Sequence, residues 1–278
     1  MITKDNRAHG VTPGLRQGYA KRTAEHQAAF ALPYLRPGMD LLDVGCGPGS
    51  ITLGLARVVA PGHVTGVDHD KGHIEAARAL AADKGVDNLS FEIGDALRLP
   101  FDDCTFEAVY ENDLFTHLAQ NAVGAAHEAY RLLRAGGILA ARDVAVESVV
   151  WGNQSEPIKE LDRLMIAWQR ERGSDVTLGK RLPAILREAG FKHTIKSVSA
   201  DSKGDPESVR SHAQITLKLL DGPFGKAILD NRWGDRTTIE RLKGAIRAWG
   251  EHSDSFFANV HVEVIGWKEV QAGDMPRY

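Results

Sequence analysis

The chain has 278 residues, of which 43% are hydrophobic and 26% charged, a composition typical of an ordinary globular protein. Its formal net charge of −3 argues against a general nucleic-acid binder, which needs a basic surface to neutralise phosphates. No apolar run approaches the roughly 20 residues of a membrane span. The two cysteines, Cys46 and Cys104, suggest no disulfide framework, so a reducing cytoplasm is expected.

Residues 1 to 38 form the first segment of the predicted organisation. The first 14 residues are polar and mixed in charge, unlike a secretory signal or a transit peptide. A helical pattern from about residue 19 to residue 35 predicts a helical cover that closes a ligand site from above. Residues 39 to 278 are expected to form the main domain.

Residues 41 to 50, with the sequence LLDVGCGPGS, are the stretch around which the chain is organised. They begin as a short apolar run, typical of a strand buried on both faces of a parallel sheet. Alternate glycines then allow a sharp bend and let a ligand approach the backbone amides, and a helical run follows. Strand, glycine loop and helix in this order indicate the first half of a doubly wound fold, with the ligand at the carboxyl end of the first strand.

The spacing within the loop narrows the choice of ligand. A dinucleotide fingerprint reads G-x-G-x-x-G and a phosphate loop reads G-x-x-x-x-G-K-[ST], whereas this loop reads G-x-G-x-G and no lysine follows Ser50. Asp43 before the loop would repel a pyrophosphate and suits a ligand with an ammonium group. The string resembles motif I of the class I S-adenosylmethionine-dependent methyltransferases. The resemblance implies that Asp43, Gly45, Cys46 and Gly47 bind that cofactor.

Asp68 follows the second predicted strand and lies 19 residues after Gly49. A carboxylate near this position accepts both hydroxyls of a ribose in related folds. The alternative is that Asp68 only caps the helix that follows. If Asp68 binds the ribose, His69 is expected to lie beside the adenine. His69 and His73 are spaced like a pair of metal ligands, but no third ligand is nearby in sequence, and no metal is predicted.

The third and fourth strands also end in candidate ligand contacts. Gly94, Asp95 and Ala96 follow the third strand, and by resemblance to the family Asp95 accepts from the adenine amino group while the next amide meets a ring nitrogen. Taken alone, Gly-Asp is simply a turn. After the fourth strand, Asn112 and Asp113 match motif IV, which implies further contacts with the cofactor.

His117 matches a recurrent histidine of the same family, which implies a position near the transferable methyl group. The near-neutral pKa of histidine suits a general base, so His117 is the candidate catalytic residue. The alternative is a histidine packed at the start of a helix.

Gly18 and Tyr19 resemble a pair in the ubiquinone and menaquinone biosynthesis methyltransferases, a type 11 family, in which the tyrosine covers the methionine end of the cofactor. A surface tyrosine is the alternative for Tyr19.

Beyond the fifth strand, the resemblance becomes general. Asp143 follows that strand and is expected at the ligand-facing edge, or as a strand-end cap. Two inserts, at about residues 144 to 179 and 200 to 258, are predicted to be helical and to wall off a pocket. The last strand, at about residues 259 to 266, is expected to be antiparallel.

Together these patterns predict an α/β fold: a doubly wound, mostly parallel seven-stranded sheet, Rossmann-like, with helical lid inserts. The expected function is methyl transfer from S-adenosylmethionine to a small-molecule acceptor, with no nucleic-acid partner.

Two alternatives stay open. One is a methyltransferase-like protein that binds the cofactor without transferring its methyl group. The other is a nicotinamide-dependent dehydrogenase, against which Asp43 and the glycine spacing count. The sequence leaves open the oligomeric state and whether oxygen, nitrogen, carbon or sulfur is methylated.

Overall fold

The computed structural model describes residues 22 to 270, and one sheet of eight strands runs through them. The strands are β1 (Leu41–Val44), β2 (Val64–Asp68), β3 (Leu89–Ile93), β4 (Phe106–Asn112), β5 (Leu133–Val144), β6 (Val150–Trp151), β7 (His193–Lys203) and β8 (Phe257–Trp267). The helices are α1 (Ala24–Gln27), α2 (Ser50–Val59), α3 (Lys71–Lys84), α4 (Phe115–Leu118), α5 (Ala122–Leu132), α6 (Glu156–Glu171), α7 (Leu178–Glu188), α8 (Pro206–Asp221), α9 (Pro223–Asp230) and α10 (Arg236–Glu251). None of these helices is both long and apolar enough to cross a membrane.

The strand order is β3-β2-β1-β4-β5-β8-β6, and β7 pairs with β8. Strands β1 to β5 are parallel, whereas β8 is antiparallel to both β5 and β7, as predicted for the last strand. The eighth strand, absent from the predicted set of seven, is the two-residue β6, which pairs Val150 with Ala258. Parallel pairing brings the carboxyl ends of β1 to β5 to one edge of the sheet, called here the carboxyl edge.

Hydrophobic cores lie on both faces of the sheet. Leu42, Val109 and Leu139 pack on one face with residues of α5 and α7. Leu41 and Ala108 pack on the other face with residues of α1 and α2. Because successive side chains of a strand point to opposite faces, a strand buried on both sides is a continuous apolar run. The apolar start of residues 41 to 50 reflects this double burial.

The helical pattern expected over about residues 19 to 35 is only partly present in the part that the structure describes. From residue 22 onward there is only the four-residue α1 and a 3-10 turn at Leu32–Tyr34 that contains Pro33. A proline lacks the amide hydrogen that a continuing helix needs. The segment packs closely on α2. Ala24 lies so near Gly54 of α2 that a side chain on Gly54 would come within 2.5 Å of it. Tyr19 lies outside the described residues.

Helices α6, α8, α9 and α10 share a separate hydrophobic core and are called here the cap. Trp168 of α6 packs on Phe224 of α9, with ring centroids 5.2 Å apart. Trp249 of α10 donates from its indole nitrogen to the carbonyl of Gly152, at 2.8 Å. The cap is therefore a second packed layer, and it connects to the sheet through the segment around β6 and through β8.

Two glycines of α10 give a matched test of cap packing. A methyl group on Gly250 would lie 2.7 Å from the side chain of Ala213 of α8, whereas one on the exposed Gly244 would meet nothing within 4 Å. We expect Gly250→Ala to lower the free energy of unfolding by about 1–3 kcal/mol through overpacking. Gly244→Ala should raise it by about 0.5–1 kcal/mol, because alanine favours the helix. Urea unfolding of both variants measures this, and equal effects would contradict the described contact between α8 and α10.

Candidate active site

The glycine loop turns sharply from β1 toward the end of β2. Gly45 has φ +76°, and both its amide and that of Cys46 donate to the carbonyl of Val67, at 2.7 and 3.0 Å. Gly47 has φ +54°, and a methyl group built on it would meet nothing within 4 Å. Cys46 is buried in a small apolar cluster below the loop. The loop thus presents the backbone at Gly47 to open space, where a ligand could approach closely.

Asp68 lies at the end of β2, directly beside the glycine loop. Its carboxylate accepts from the amide of Gly47 at 2.9 Å and from the amide of Asp70 at 2.8 Å. Asp70, not Asp68, caps α3, because its side chain accepts from the first-turn amides of Gly72 and His73. The alternative assignment of Asp68 as a helix cap is therefore wrong.

Asp68 is held in its ionised form. Burial works against the charge, but hydrogen bonds from His69, His73 and the amide of Asp70 outweigh it, so the pKa of Asp68 lies well below its ordinary value. The Nδ1 atom of the exposed His69 is 3.4 Å from one carboxylate oxygen, and Nδ1 of the buried His73 is 3.5 Å from the other. The same contact raises the pKa of His69 above 6.5, mainly through the hydrogen bond to Asp68.

Asp43 is placed differently from the expectation of an open ligand contact. It is buried, and its carboxyl group accepts from the hydroxyl of Thr52 of α2 at 2.7 Å. Burial raises its pKa to about 7, and the negative charge of Asp68 adds to the effect. Asp43 thus links β1 to α2, the two elements that flank the glycine loop.

Gly94, Asp95 and Ala96 lie beside Asp68, at the end of β3. The amide of Gly94 donates to the carbonyl of Asp68 at 3.1 Å, and a side chain on Gly94 would come within 2.6 Å of Val67. Asp95 is exposed, and one carboxylate oxygen accepts from the amide of Leu97 at 3.0 Å. The acidic ends of β2 and β3 thus lie side by side.

Asp113 lies at the end of β4, where several segments converge on its carboxylate. Arg22 donates to one oxygen at 2.7 Å, Asn112 donates to the same oxygen at 3.2 Å, and Nε2 of His261 is 3.3 Å from the other. Burial opposes the charge, but His261, Arg22 and Arg142 together hold the pKa of Asp113 well below its ordinary value. Asp113 also has φ +57°, a strained backbone for a residue other than glycine.

Sequence reasoning missed the buried charges behind Asp113. Arg142 of β5 is fully buried and donates to Asn112 at 3.0 Å and to Asp201 of β7 at 2.6 Å. Its Nε lies 3.6 Å from Glu263 of β8. His261 and Glu263 alternate with valines in an otherwise apolar strand, and that alternation was the available signal. The pairing of β5 with β8 and β8 with β7 is what brings these groups together.

His117 lies on the one-turn helix α4, exposed to solvent. The surrounding protein nevertheless lowers the pKa of His117 below 6.5, mainly because it desolvates the ring. The negative charge of Asp113 opposes this effect, and the positive charges of Arg22 and Arg172 offset part of that opposition. The neutral form of His117 therefore prevails at pH 7.

Asp143 does not face the ligand edge. It is fully buried, and its carboxyl group accepts from the amide of Thr116 at 2.9 Å, from the hydroxyl of Thr116 and from the amide of Val144 at 2.9 Å. The two expected roles are a contact at the ligand-facing edge and a cap. Asp143 takes the second, as a buried acceptor for the first turn of α4.

Comparisons with known proteins identify the class. A family model described as a methyltransferase domain matches residues 35 to 190. An uncharacterised methyltransferase of Schizosaccharomyces pombe is 34% identical over 274 residues, which cover 94% of this chain and 96% of that protein. The sterol 24-C-methyltransferase ERG6B of Gibberella zeae is 36% identical over 241 residues, which cover 81% of this chain and 58% of that protein.

The solved structures agree on the fold. A putative methyltransferase from Bacillus halodurans has a TM-score of 0.61 to this chain at 18% identity, and the match covers 88% of this chain and 100% of that one. The chain belongs to the methyltransferase domain family. It is an enzyme of the class I methyltransferases with a Rossmann-like fold, and its cofactor is S-adenosylmethionine. The predicted family, fold class and cofactor are confirmed.

The carboxyl edge offers what an adenosyl ligand requires. Asp68 supplies an ionised carboxylate for hydroxyl groups, and Gly47 leaves the space beside it free of side-chain atoms. The residues present therefore fit the cofactor on geometry and on charge.

Two arginines of β5 give a matched test of the buried network. We expect Arg142→Met to lower the free energy of unfolding by about 3–5 kcal/mol, because it leaves the carboxylates of Asp201 and Glu263 without their buried partner. Arg134→Met removes a half-exposed ion pair with Glu107 and should cost less than about 1 kcal/mol. Urea unfolding of both variants measures the difference. Similar losses in the two would show that the network is not energetically distinct from a surface pair.

Proposed function

We propose that the protein transfers the methyl group of S-adenosylmethionine to a small-molecule acceptor. The observation that carries the proposal is the juxtaposition of the glycine loop and the ionised Asp68, joined by the bond from the Gly47 amide. The similarity to a sterol methyltransferase supports a small acceptor, as does a separate helical cap with its own apolar core. S-adenosylmethionine supplies an electrophilic methyl group on its sulfonium.

The residues of the chain are assigned roles by their position along the carboxyl edge. Asp68 accepts the ribose hydroxyls, His69 lies beside the adenine, and Asp95 with the Ala96 amide binds the adenine edge. Gly45, Cys46 and Gly47 give the loop its shape, Asp43 supports it, and Gly94 permits the close approach of β3 to β2. Asn112 and Asp113 border the methionine half.

The chief catalytic task of the protein is to align the acceptor atom with the methyl group. Such orientation supplies roughly 7–11 kcal/mol of a barrier. His117, neutral at pH 7 because its pKa is lowered, accepts a proton if the acceptor must lose one. A base with that pKa keeps its lone pair available from neutral pH upward.

Calorimetry tests the cofactor assignment. Wild-type protein should bind S-adenosylmethionine and S-adenosylhomocysteine and should not bind reduced nicotinamide adenine dinucleotide. Asp68→Ala should weaken both by about 10²–10⁴-fold, because two hydrogen bonds to a charged group are worth about 1.5–3 kcal/mol each. Asp221→Ala, in an exposed ion pair of the cap, is the matched control and should bind normally. Unchanged affinity in a folded Asp68→Ala would refute the ribose role, and binding of the nicotinamide alone would favour a dehydrogenase.

Transfer itself is tested with cofactor labelled in its methyl group and a panel of sterol, phenol and amine acceptors. His117→Ala should lower turnover about 10²–10⁴-fold while the affinity for S-adenosylhomocysteine stays normal. In the wild type, the acid limb of the pH profile should have its midpoint below pH 6.5, since activity rises as the imidazole loses its proton. Full turnover of His117→Ala would leave His117 without a role as base. Normal binding with no transfer to any acceptor would favour a cofactor-binding protein without methyl transfer.

A further inference from the structure

Helix α4 carries His117, yet it has little to hold it in place by itself. It is a single turn of four residues, and no side chain caps its N-terminus locally. A helix this short forms too few backbone hydrogen bonds to offset the cost of its own nucleation. Its orientation must therefore come from contacts with the rest of the protein.

Phe115 packs the turn into the main hydrophobic core, and the hydrogen bonds to it from a side chain of another strand are concentrated on Thr116, the residue before His117. Both the amide and the hydroxyl of Thr116 donate to the carboxyl group of Asp143, which is completely buried beneath the helix. The amide of Val144 donates to the same carboxyl group and fixes its rotation. One side chain of β5 thus fixes both the main chain and the side chain of the residue next to the candidate base.

A second buried carboxyl group supports the same turn at its start. Oε2 of Glu111 accepts from the amide of Leu114 at 3.3 Å, and Glu111 is almost completely buried. Burial raises the pKa of Glu111 well above its ordinary value, and the neighbouring Asp143 adds to the effect. The contact is longer and involves one donor of the turn only, so Asp143 provides the main polar restraint.

We propose that Asp143 is a positioning residue, which acts through Thr116 to hold α4 so that the imidazole of His117 faces the acceptor. The inference rests on the proposed function in taking His117 as the group that meets the acceptor. It adds a residue that touches neither cofactor nor acceptor and that governs the geometry of one that does.

The choice of a carboxyl group at this position supports the inference. Burial and the charge of Asp113 raise the pKa of Asp143 to about 7, so its ionised form is costly at neutral pH. Three donors nevertheless point at its two oxygens, and an asparagine would turn an amide N–H toward one of them. A carboxyl group is the side chain that accepts from all three.

Nuclear magnetic resonance of histidine-labelled protein tests the proposal without knowledge of the acceptor. The His117 signals are assigned by their loss in His117→Gln, and their pKa is measured by titration. Asp143→Ala should release α4, move the imidazole away from the protein that partly desolvates it and raise the pKa of His117 toward 6.5. Thr116→Val, which removes the hydroxyl bond alone, should produce a smaller rise, and Thr116→Ser should titrate like the wild type.

Asp162→Ala is the matched control, because Asp162 is another partly buried carboxyl group with a raised pKa, bonded to Trp151 beside the cap. It should leave the titration of His117 unchanged. A His117 pKa that stays at its wild-type value in folded Asp143→Ala would overturn the proposal. If that variant does not fold, an unchanged pKa in Thr116→Val would do so.

Binding of S-adenosylhomocysteine separates this outcome from a failure of the proposed function. Thr116→Val should bind it with wild-type affinity, since the restraint acts on the acceptor side. Absence of binding in the wild type would refute the proposed function and leave the titration result standing. If Thr116→Val both lost affinity for S-adenosylhomocysteine and showed a raised His117 pKa, the substitution would have loosened the whole site, and the positioning role would be overturned.

Discussion

The hydrogen bond from the Gly47 amide to Asp68 joins the turn after β1 to the end of β2, and the candidate cofactor site depends on it. It requires a backbone that can take positive φ at Gly45 and Gly47, and a carboxylate that stays ionised near them. Parallel pairing of β1 and β2 sets the two strand ends side by side. The loop, the sheet and the ligand chemistry therefore impose the same constraint on this part of the chain.

The network behind Asp113 places charged side chains where burial is energetically unfavourable. Arg142 is fully buried with Asp201 and Glu263 close by, and removing charges from water costs several kcal/mol per ion before any pairing. An apolar set of side chains would pack this space with less penalty. What the charges provide is direction: Arg142 holds Asn112, and His261 approaches Asp113, so the end of β4 is held from β5 and β8.

Apart from the antiparallel last strand, which the family resemblance implies, the elements predicted correctly from sequence are those whose cause is local. The apolar run and glycines of residues 41 to 50 specify strand and turn through neighbouring residues, and β3 occupies residues 89 to 93 as expected. The orientation of Asp143 and the ion pairs of Arg142 could not be read in this way. They depend on which strand lies beside β5 and on a one-turn helix above it, contacts between residues far apart in sequence. The interruption of the helical pattern expected over residues 19 to 35 has a local cause instead, since Pro33 lacks the amide hydrogen that a continuing helix needs.

The acidic residues along the carboxyl edge fall into two sets by charge. Asp68 and Asp113 are stabilised as anions by amides, histidines and arginines, whereas burial raises the pKa of Asp43, Glu111 and Asp143. The anionic pair lies at the ends of β2 and β4, where the cofactor is proposed to bind. The second set lies beneath, and its bonds to Thr52, Leu114 and Thr116 support the loop and the helix above. Acidic side chains are thus proposed as ligand contacts where histidines or arginines compensate for the loss of water, and serve as internal supports where only uncharged donors do.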